Sequence, residues 1–352
     1  MKKFISALLL LAIILPCLLV SCDKKKEKFS EYALDYFDTA TTITGYAESK
    51  EQFDEVCSDI LSQLEEYHKL FTIYHKFEGL ENLCTINELE GDAHRVVTVD
   101  QRIIDMLLYS KEMYTKTNGK VNVAMGSVLS IWHNYRTQGL NDPASAALPS
   151  MDKLTEAAAH TDINDLVIDE KNRTVFLADP KMTLDVGAVA KGYAVEMIAQ
   201  SLEQKGIEGY VLNVGGNVRT IGAKGDGEKW LAGIDNPIDE SDEPYIAYLN
   251  LAGESLVTSG SYQRYYVVNG KNYHHIIDPE TLMPAERYLS ISIVCKSSAD
   301  GDALSTALFC MSYEDGAKLV GSLDGIEAMW VFTDGSKKLS DSFSNYLTQP
   351  KI

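Results

Sequence analysis

Two oxygen-bearing side chains, Asp302 and Thr306, are spaced four residues apart in the segment ADGDALSTALF (299–309). At that spacing they share one face of a predicted helix. A carboxylate and a hydroxyl are donors that Mg²⁺ accepts, but two donors cannot complete its coordination shell. The alternative interpretation is helix capping, in which an aspartate near the N-terminus accepts free backbone N–H groups. The segment alone therefore leaves a cation site and a capped helix open.

Two glycine-containing segments have the layout of phosphate-binding turns. In LDVGAVAKGYAVEM (184–197) a predicted strand, a turn and a helix follow one another, and Lys191 offers a point charge beside the helix N-terminus. In NVGGNVR (213–219) Gly215 and Gly216 follow a predicted strand and allow close approach of a ligand to the backbone. Neither spacing is that of a dinucleotide or P-loop fingerprint, so each segment is also compatible with a plain structural turn.

A third segment, residues 257–285, contains adjacent histidines in a predicted hairpin. Asn269-Gly270 is a strong signal for a two-residue turn. On a regular strand His274 and His275 point to opposite faces, so one of them can face a cleft. A single histidine is usually structural, but two together with Arg264 in one hairpin favour a functional site.

The elements that position these residues can be predicted from hydrophobic periodicity. Helical spacing predicts helices over 51–71, 101–119, 128–135, 152–160 and 188–206, whereas residues 166–179 and the segments after 209 have the character of strands. Helices and strands mix irregularly, which predicts an α+β (mixed α/β) fold. We expect a helical N-terminal part and a sheet-rich C-terminal part that meet near residues 145–165.

Composition and charge restrict the partners. The chain has 352 residues, of which 45% are hydrophobic and 24% charged, a normal globular balance. Its net charge of −19 argues against nucleic acid as a partner and against electrostatic docking to anionic lipid.

The N-terminus predicts export. Two lysines precede an apolar run that ends in Leu-Val-Ser-Cys, which resembles a bacterial lipobox. We therefore expect residues 1–21 to be a signal peptide, Cys22 to be lipidated and residues 22–31 to form a charged tether. The alternative is an uncleaved membrane anchor. Either interpretation places the protein outside the cytoplasm, and Asp23 resembles an inner-membrane retention signal, which would mean the periplasmic side in a Gram-negative cell.

Four other cysteines, Cys57, Cys84, Cys295 and Cys310, have no CxxC spacing, which argues against a zinc cluster. Cys57 and Cys310 fall in apolar helical patterns and are predicted to be buried thiols.

Taken in order, these segments resemble the ApbE-type flavin transferase family over nearly all of the chain after the tether. The family pattern is matched by five segments: Asp185 to Ala194, Asn213 to Gly216, Ser259 to Arg264, His275 to Pro284, and Asp302 to Ala307. Upstream, FDTATTI (37–43), which contains Thr41, is similar to the family's substrate strand, and GKVNVAMGSVLSIW (119–132) is similar to another family segment. Each match is modest, but five in order are specific.

The resemblance implies a function. FAD would be the donor, and FMN would move onto a Thr hydroxyl of an exported or membrane-bound redox protein with a D-x-x-T-like site, with release of AMP. Mg²⁺ would be held by Asp302, Thr306 and the backbone carbonyl of Ala188. His275 would lie near the scissile phosphate as an acid, a base or a phosphate donor. Asp185 and Lys191 would contact FAD, and Ala124, Met125 and Gly126 would cradle the flavin.

Several features leave alternatives. Leu282 replaces the usual glycine of the family, Glu280 a commonly basic residue, and Asn122 a frequent aspartate. The same chemistry with water as nucleophile would make the chain an FAD pyrophosphatase, and a non-catalytic flavin-binding lipoprotein is the third interpretation. The stretch DTAT (38–41) itself resembles the acceptor pattern; coincidence is favoured over self-modification at Thr41.

Overall fold

The computed structural model describes residues 25–238 and 243–348. The predicted signal peptide and the predicted lipidation site, Cys22, lie outside these residues. The α-helices are α1 Lys50–Phe71, α2 Leu83–Ile86, α3 Gln101–Lys116, α4 Gly126–Asn141, α5 Met151–Ala158, α6 Ala190–Gln204, α7 Ser298–Phe309 and α8 Tyr313–Gly321.

The strands run from β1 near the N-terminus to β17 near the C-terminus. They are β1 Glu27–Tyr36, β2 Thr39–Ala47, β3 Leu89–Glu90, β4 Ala93–His94, β5 Val97–Thr98, β6 Leu166–Asp169, β7 Thr174–Leu177, β8 Tyr210–Val214, β9 Asn217–Ile221, β10 Trp230–Asp235, β11 Tyr245–Leu251, β12 Ser255–Gly260, β13 Tyr265–Val268, β14 Lys271–His274, β15 Tyr288–Cys295, β16 Glu327–Phe332 and β17 Lys337–Leu339.

An eight-stranded antiparallel sheet is the frame of the molecule. Its strand order is β1-β2-β8-β9-β12-β15-β16-β17. Because side chains alternate along a strand, Thr41 and Ile43 of β2 face one side and Thr42 and Thr44 the other. The sheet therefore offers two distinct surfaces.

Helices cover the first surface. Helix α1 begins at the Ser49 cap, whose hydroxyl accepts the Gln52 N–H, and buries an apolar stripe that includes Phe53 and Ile60. Helices α6 and α7 pack on each other and on β9 and β12. The main core lies between these helices and the sheet.

The second surface is partly covered by the β10–β11 hairpin. Ile234 and Leu249 from this hairpin pack against Leu256 and Val331 of the large sheet. A third apolar cluster joins α4 to the β13–β14 hairpin through Trp132 and Tyr266. The turn of that hairpin, Asn269-Gly270, has both φ angles positive, as its sequence predicts.

The α+β class is confirmed, and the helices predicted over 51–71 and 101–119 are present. The helix predicted over 128–135 is longer, Gly126–Asn141. The charged tether is shorter than predicted, since β1 begins at Glu27 and pairs with β2 from Glu27↔Ala47 onward. The division near 145–165 stays a prediction; β1 and β2, which precede it, belong to the sheet built mainly by later strands.

The thiols of Cys57 and Cys310 are buried, as predicted, and within the described residues all four cysteines are free. No helix in the described part of the chain combines the length and apolar character needed to cross a bilayer.

Candidate active site

A cavity of about 610 Å³ opens where β2, α4, α6, α7 and the β13–β14 hairpin converge. This volume falls in the usual range of cofactor sites, roughly 300–1,000 Å³. Its lining combines cations with carboxylates, which suits a phosphate-bearing ligand held with a cation. The charged side chains are Asp38, Lys120, Arg136, Asp185, Lys191, Arg264 and Asp302.

Asp302 joins the two helices that frame the cavity. One carboxylate oxygen accepts the backbone N–H of Gly192 in the first turn of α6 at 2.7 Å. The other oxygen lies 3.4 Å from the Lys191 ammonium. The residue thus acts as a cap, but on the neighbouring helix rather than its own, because the Ser297 hydroxyl caps α7 through the Asp300 N–H. The position of Asp302 is therefore compatible both with a cation site and with helix capping.

Lys191 reaches the cavity between Asp302 and Asn217. Its ammonium donates to the Asn217 side-chain oxygen. Burial lowers the pKa of Lys191, and the Asp302 carboxylate opposes this shift. The Nδ2 amide of Asn217 is buried and has no hydrogen-bond partner among the described residues.

The close approach of α6 to α7 depends on Gly192. A Cβ at this position would lie 2.3 Å from the Asp302 Cβ and 2.5 Å from the Ser298 carbonyl oxygen. A buried ion pair fixes the same junction, since Glu196 accepts both the Ser298 N–H at 2.8 Å and the Arg219 Nε at 3.1 Å.

The loop before α6 is bound to the segment before α4. Asp185 donates its N–H to the Val123 carbonyl at 2.8 Å, and Gly126 donates to the Thr183 carbonyl at 3.0 Å. The Asp185 carboxylate accepts the Gly187 N–H at 2.9 Å, and burial raises its pKa. These bonds place Asp185, Ala188 and Met125 at one wall of the cavity.

The two histidines have separate roles in the structure. His274 is buried, and its ring nitrogens lie 2.7 Å from the Ala285 carbonyl and 3.2 Å from the Ile276 N–H. The Nδ1 of His275 lies 3.2 Å from the Arg264 carbonyl, and its ring lines the cavity. Burial, with Arg264 nearby, lowers the pKa of His275 to about 3, so its imidazole is neutral at physiological pH.

Most of the predicted site residues meet at this cavity. Those that line it are Met125, Asp185, Ala188, Lys191, Gly215, His275, Asp302 and Thr306. Four others do not: Thr41, Ala124, Gly126 and Gly216.

Thr41 lies away from the cavity lining. Its side chain is 1% exposed and faces the core side of β2, whereas Asp38, Thr39 and Ala40 line the cavity. Gly215 permits this arrangement, since its φ of 55° is one that glycine adopts readily and a Cβ there would lie 2.2 Å from the Thr39 hydroxyl. In the folded chain Thr41 is therefore inaccessible to self-modification.

The other three residues also lie outside the cavity lining. Ala124 is fully buried beneath the loop, and Gly126 lies against Thr183, where a Cβ would come within 2.5 Å of the carbonyl oxygen. Gly216 lines a neighbouring cavity instead.

Sequence reasoning missed several lining residues, among them Arg136, Tyr74 and Lys120. Lys120 forms a bridge to Asp278 at 3.0 Å and to Glu280 at 2.9 Å, so the acidic Glu280 is held beside a cation. Lys120 could have been predicted from the Gly-Lys pair at 119–120, because this pair begins the segment that is similar to the family pattern. Arg136 sits on the part of α4 beyond the predicted helix, so its position could not be inferred.

The turn that contains Leu282 keeps a glycine-like backbone. Leu282 has a φ of 60°, in the left-handed region, and its N–H donates to the Asp278 carbonyl at 2.8 Å. Its own carbonyl accepts the Trp132 Nε1 at 2.9 Å. The substitution therefore introduces local backbone strain but does not open the turn.

A divalent cation would find oxygen donors here. The cavity is lined by Asp302, Thr306 and Ala188. One carboxylate oxygen of Asp302 makes only a long contact, of 3.4 Å, with the Lys191 ammonium. Within the described residues no three His, Cys, Asp or Glu side chains cluster as metal ligands. The donors that the sequence predicts, a carboxylate, a hydroxyl and a backbone carbonyl, would suit a hard cation that keeps water and phosphate oxygens as further ligands.

Comparisons with known proteins agree with this arrangement. The chain is 30% identical over 268 residues to a protein of Klebsiella pneumoniae (strain 342) named FAD:protein FMN transferase, an alignment covering 74% of this chain and 80% of that one. It is 33% identical to a protein of the same name from Treponema pallidum (strain Nichols), covering 72% and 71% of the two chains.

Solved structures show the same fold. The ApbE protein of Thermotoga maritima superposes with a TM-score of 0.77 at 26% identity, covering 92% of this chain and 100% of that one. The flavin transferase ApbE from Vibrio cholerae superposes with a TM-score of 0.74 at 23% identity, over 92% and 100% of the two chains. The sequence profile described as the ApbE family matches residues 37–330. The chain therefore belongs to the ApbE family.

Proposed function

We propose that this chain is an Mg²⁺-dependent FAD:protein FMN transferase, which moves FMN from FAD onto a Thr hydroxyl of an acceptor protein and releases AMP. The observation that carries the proposal is the meeting of Asp302, Thr306, Lys191 and His275 in one cavity of cofactor size. Relatives over most of the chain bear this enzyme name.

In the proposed reaction the acceptor hydroxyl attacks the phosphorus of the FMN half. A new P–O bond forms to the acceptor, the P–O bond to the AMP half breaks, and the hydroxyl proton must leave. His275 would receive that proton, because its neutral ring lines the cavity in which the phosphate would lie.

Phosphoryl transfer depends mainly on positioning and on neutralising charge. Lys191, Arg136 and Arg264 supply positive charge along the cavity. Mg²⁺, when bound, would offset charge on the pyrophosphate. Asp302, Thr306 and the Ala188 carbonyl would hold it, and the cap that Asp302 forms on Gly192 fixes the carboxylate in place.

The same site can be compared with the two other interpretations, an FAD pyrophosphatase and a non-catalytic flavin binder. Water is a hydroxyl nucleophile for the same phosphorus, so FAD hydrolysis is the competing reaction. A passive flavin binder gains nothing from an oxygen donor set placed beside a neutral histidine.

We also propose that Cys22 carries lipid and anchors the domain to the extracytoplasmic face of a bacterial membrane. Its acceptors there would be exported or membrane-bound redox subunits with a D-x-x-T-like site. The motif at residues 19–22 supports this proposal. Mass spectrometry of the chain isolated from membranes, with Cys22→Ala as control, tests it: an unmodified N-terminus in the wild type would contradict it.

The enzymatic test follows three products from FAD: AMP, free FMN and flavin covalently bound to an acceptor domain carrying a D-x-x-T site. Mg²⁺-dependent label on the acceptor supports the transferase. AMP with free FMN and no label would make the chain a pyrophosphatase, and bound FAD without AMP would leave only a flavin binder.

A further inference from the structure

A second cavity, of about 320 Å³, adjoins the first on the other surface of the large sheet. Thr258 and Gln263 line both cavities. The turn at 213–216 separates them, with Gly215 lining the first and Gly216 the second. The second cavity is therefore a direct neighbour of the candidate active site, with Thr258 and Gln263 at their common border.

The floor of the second cavity is the surface of the sheet that faces away from the helices. It carries small polar side chains, which are Thr42, Thr44, Asn213, Thr220 and Thr258. The β10–β11 hairpin forms the wall with Trp230, Gly233 and Tyr245. Gly233 makes room for the Tyr245 ring, since a Cβ there would lie 2.5 Å from it.

The charge of this lining excludes a second phosphate site. Among the described residues that line the second cavity there is no Lys, Arg or His, and Asp235 is an acid. Hydroxyls, amides and aromatic rings without cations suit the backbone and small polar side chains of a polypeptide rather than a phosphate group. At the rim, Leu231 is 60% exposed and Tyr245 is 40% exposed, and the ring of Tyr245 contacts that of Tyr248 at 5.4 Å between centroids.

The hydroxyl of Tyr262 is a buried polar group without a hydrogen-bond partner among the described residues. The Tyr262 hydroxyl is inaccessible to solvent and has no hydrogen-bond partner of ordinary geometry among the described residues, although the exposed Gln263 amide lies near it. The ring is fixed over Gly260, where a Cβ would lie 2.5 Å away. Burial raises the pKa of Tyr262 to about 12, so its hydroxyl remains a donor at neutral pH. An unpaired buried hydroxyl is costly, and a ligand carbonyl would satisfy it.

We propose that the second cavity is the subsite for the acceptor protein: it takes an extended segment next to the modified hydroxyl and directs that hydroxyl past Thr258 and Gln263 into the first cavity. This inference rests on the proposed transferase function. The size of the second cavity suits a short stretch of chain rather than a folded domain, and the exposed aromatic rim would contact the acceptor around that stretch.

The test separates acceptor binding from FAD chemistry. The probe is a short fluorescein-labelled peptide with Asp-Gly-Ala-Thr at its centre, and its binding to the full chain in detergent is measured by anisotropy without FAD. Thr42→Trp fills the cavity and should weaken peptide binding at least tenfold. Ser30→Trp is the matched control, since Ser30 lies beside Thr44 on the neighbouring strand, with 3.0 Å between the hydroxyl oxygens, but outside the cavity.

Tyr262→Phe removes only the hydroxyl. We expect peptide binding to weaken about fivefold, while the thermal stability of the free chain stays equal or rises, because no partner is lost. If the hydroxyl had a purely structural role, Tyr262→Phe would instead lower the thermal stability of the chain and leave its affinity for the peptide unchanged.

FAD binding by each variant, followed by flavin fluorescence, shows that the first cavity is intact. Equal peptide affinity in wild type and Thr42→Trp, or no peptide binding by the wild type, would overturn the subsite. FAD and Mg²⁺ are added to the peptide complex in a second step. Peptide binding that responds to both variants, but no covalent flavin on the peptide after this addition, would count against the transferase and leave the subsite in place.

Discussion

The carboxylate of Asp302 in α7 accepts the backbone N–H of Gly192 in α6 at 2.7 Å, so one side chain both joins the two helices and lines the cavity. Substitutions at Asp302 can therefore separate the two roles. Asp302→Asn retains an oxygen for the Gly192 N–H but loses the charge. We expect near-normal thermal stability with AMP release from FAD reduced about 100-fold or more.

Asp302→Ala loses both roles. It should show the same loss of activity together with a decrease of about 0.5–2 kcal/mol in the free energy of unfolding, since the cap is removed. Urea denaturation and an AMP assay on both variants provide the comparison. Full activity in Asp302→Asn would show that the charge is not required.

Lys191→Met tests the positive charge that we propose to lie beside the pyrophosphate of FAD. The variant should bind FAD about 10–100-fold more weakly, because a hydrogen bond to a charged group contributes roughly 1.5–3 kcal/mol. Flavin fluorescence titration measures this affinity. Lys205→Met is the matched control: it lies at the other end of α6, where its exposed side chain pairs with Asp59, and its FAD affinity should equal that of the wild type.

Gly192→Ala tests the close packing of α6 on α7. The added Cβ cannot fit against Asp302 and Ser298 without moving the helices, so we expect a loss of about 1–3 kcal/mol in stability together with loss of activity. Gly321→Ala, at the end of α8, meets no atom within 4 Å and should be neutral or stabilising. Similar melting temperatures for the two variants would contradict this account of the junction.

The buried pair Arg219–Glu196 should be essential to the same junction. Arg219→Met leaves Glu196 buried without its cation, and we expect a loss of about 3–5 kcal/mol in the free energy of unfolding. The double variant Arg219→Met/Glu196→Gln should recover part of that loss. Arg287→Met is the control, because Arg287 is 47% exposed and its 3.4 Å contact with Asp278 contributes at most about 1 kcal/mol.

Stability should depend on pH through His275 and His274, whose pKa values are both lowered by burial. Between their ordinary value of about 6.5 and the folded-state pKa of His275, about 3, the unfolded chain binds protons that the folded chain does not. The free energy of unfolding therefore falls as pH decreases through this window. Urea denaturation at pH 4.5 and 7.5 should show a smaller difference in His275→Gln than in the wild type; an equal difference would argue against the lowered pKa of His275.

Much of this site follows from local sequence. The spacing of Asp302 and Thr306, the turn before Lys191 and the adjacent histidines are short-range patterns. In the structure these residues line one cavity, including both His274 and His275. Thr41 was predicted from the resemblance of residues 37–43 to the family's substrate strand, and that resemblance does not determine which face of β2 meets the core. That choice is made by the pairing of β2 with β8 and by the packing of α1.

The parts of the site that could not be predicted from the sequence depend on long-range contacts. The cap from Asp302 to Gly192 and the pair Arg219–Glu196 join segments 110 and 23 residues apart, and no local pattern specifies such contacts. The second cavity likewise depends on how the β10–β11 hairpin folds over the sheet, which periodicity does not determine.

The most direct test of the central claim is the fate of the FMN phosphate. FAD labelled with ³²P in the FMN half is incubated with the full chain, Mg²⁺ and an acceptor domain carrying a D-x-x-T site, and the acceptor is then analysed under denaturing conditions and by mass spectrometry. We predict that the label and the mass of FMN less water appear on the Thr of the acceptor and that AMP is released unlabelled. Asp302→Asn should reduce the labelling of the acceptor and the release of AMP about 100-fold or more. Label found only in free FMN, or an acceptor that remains unmodified while FAD stays intact, would contradict the account.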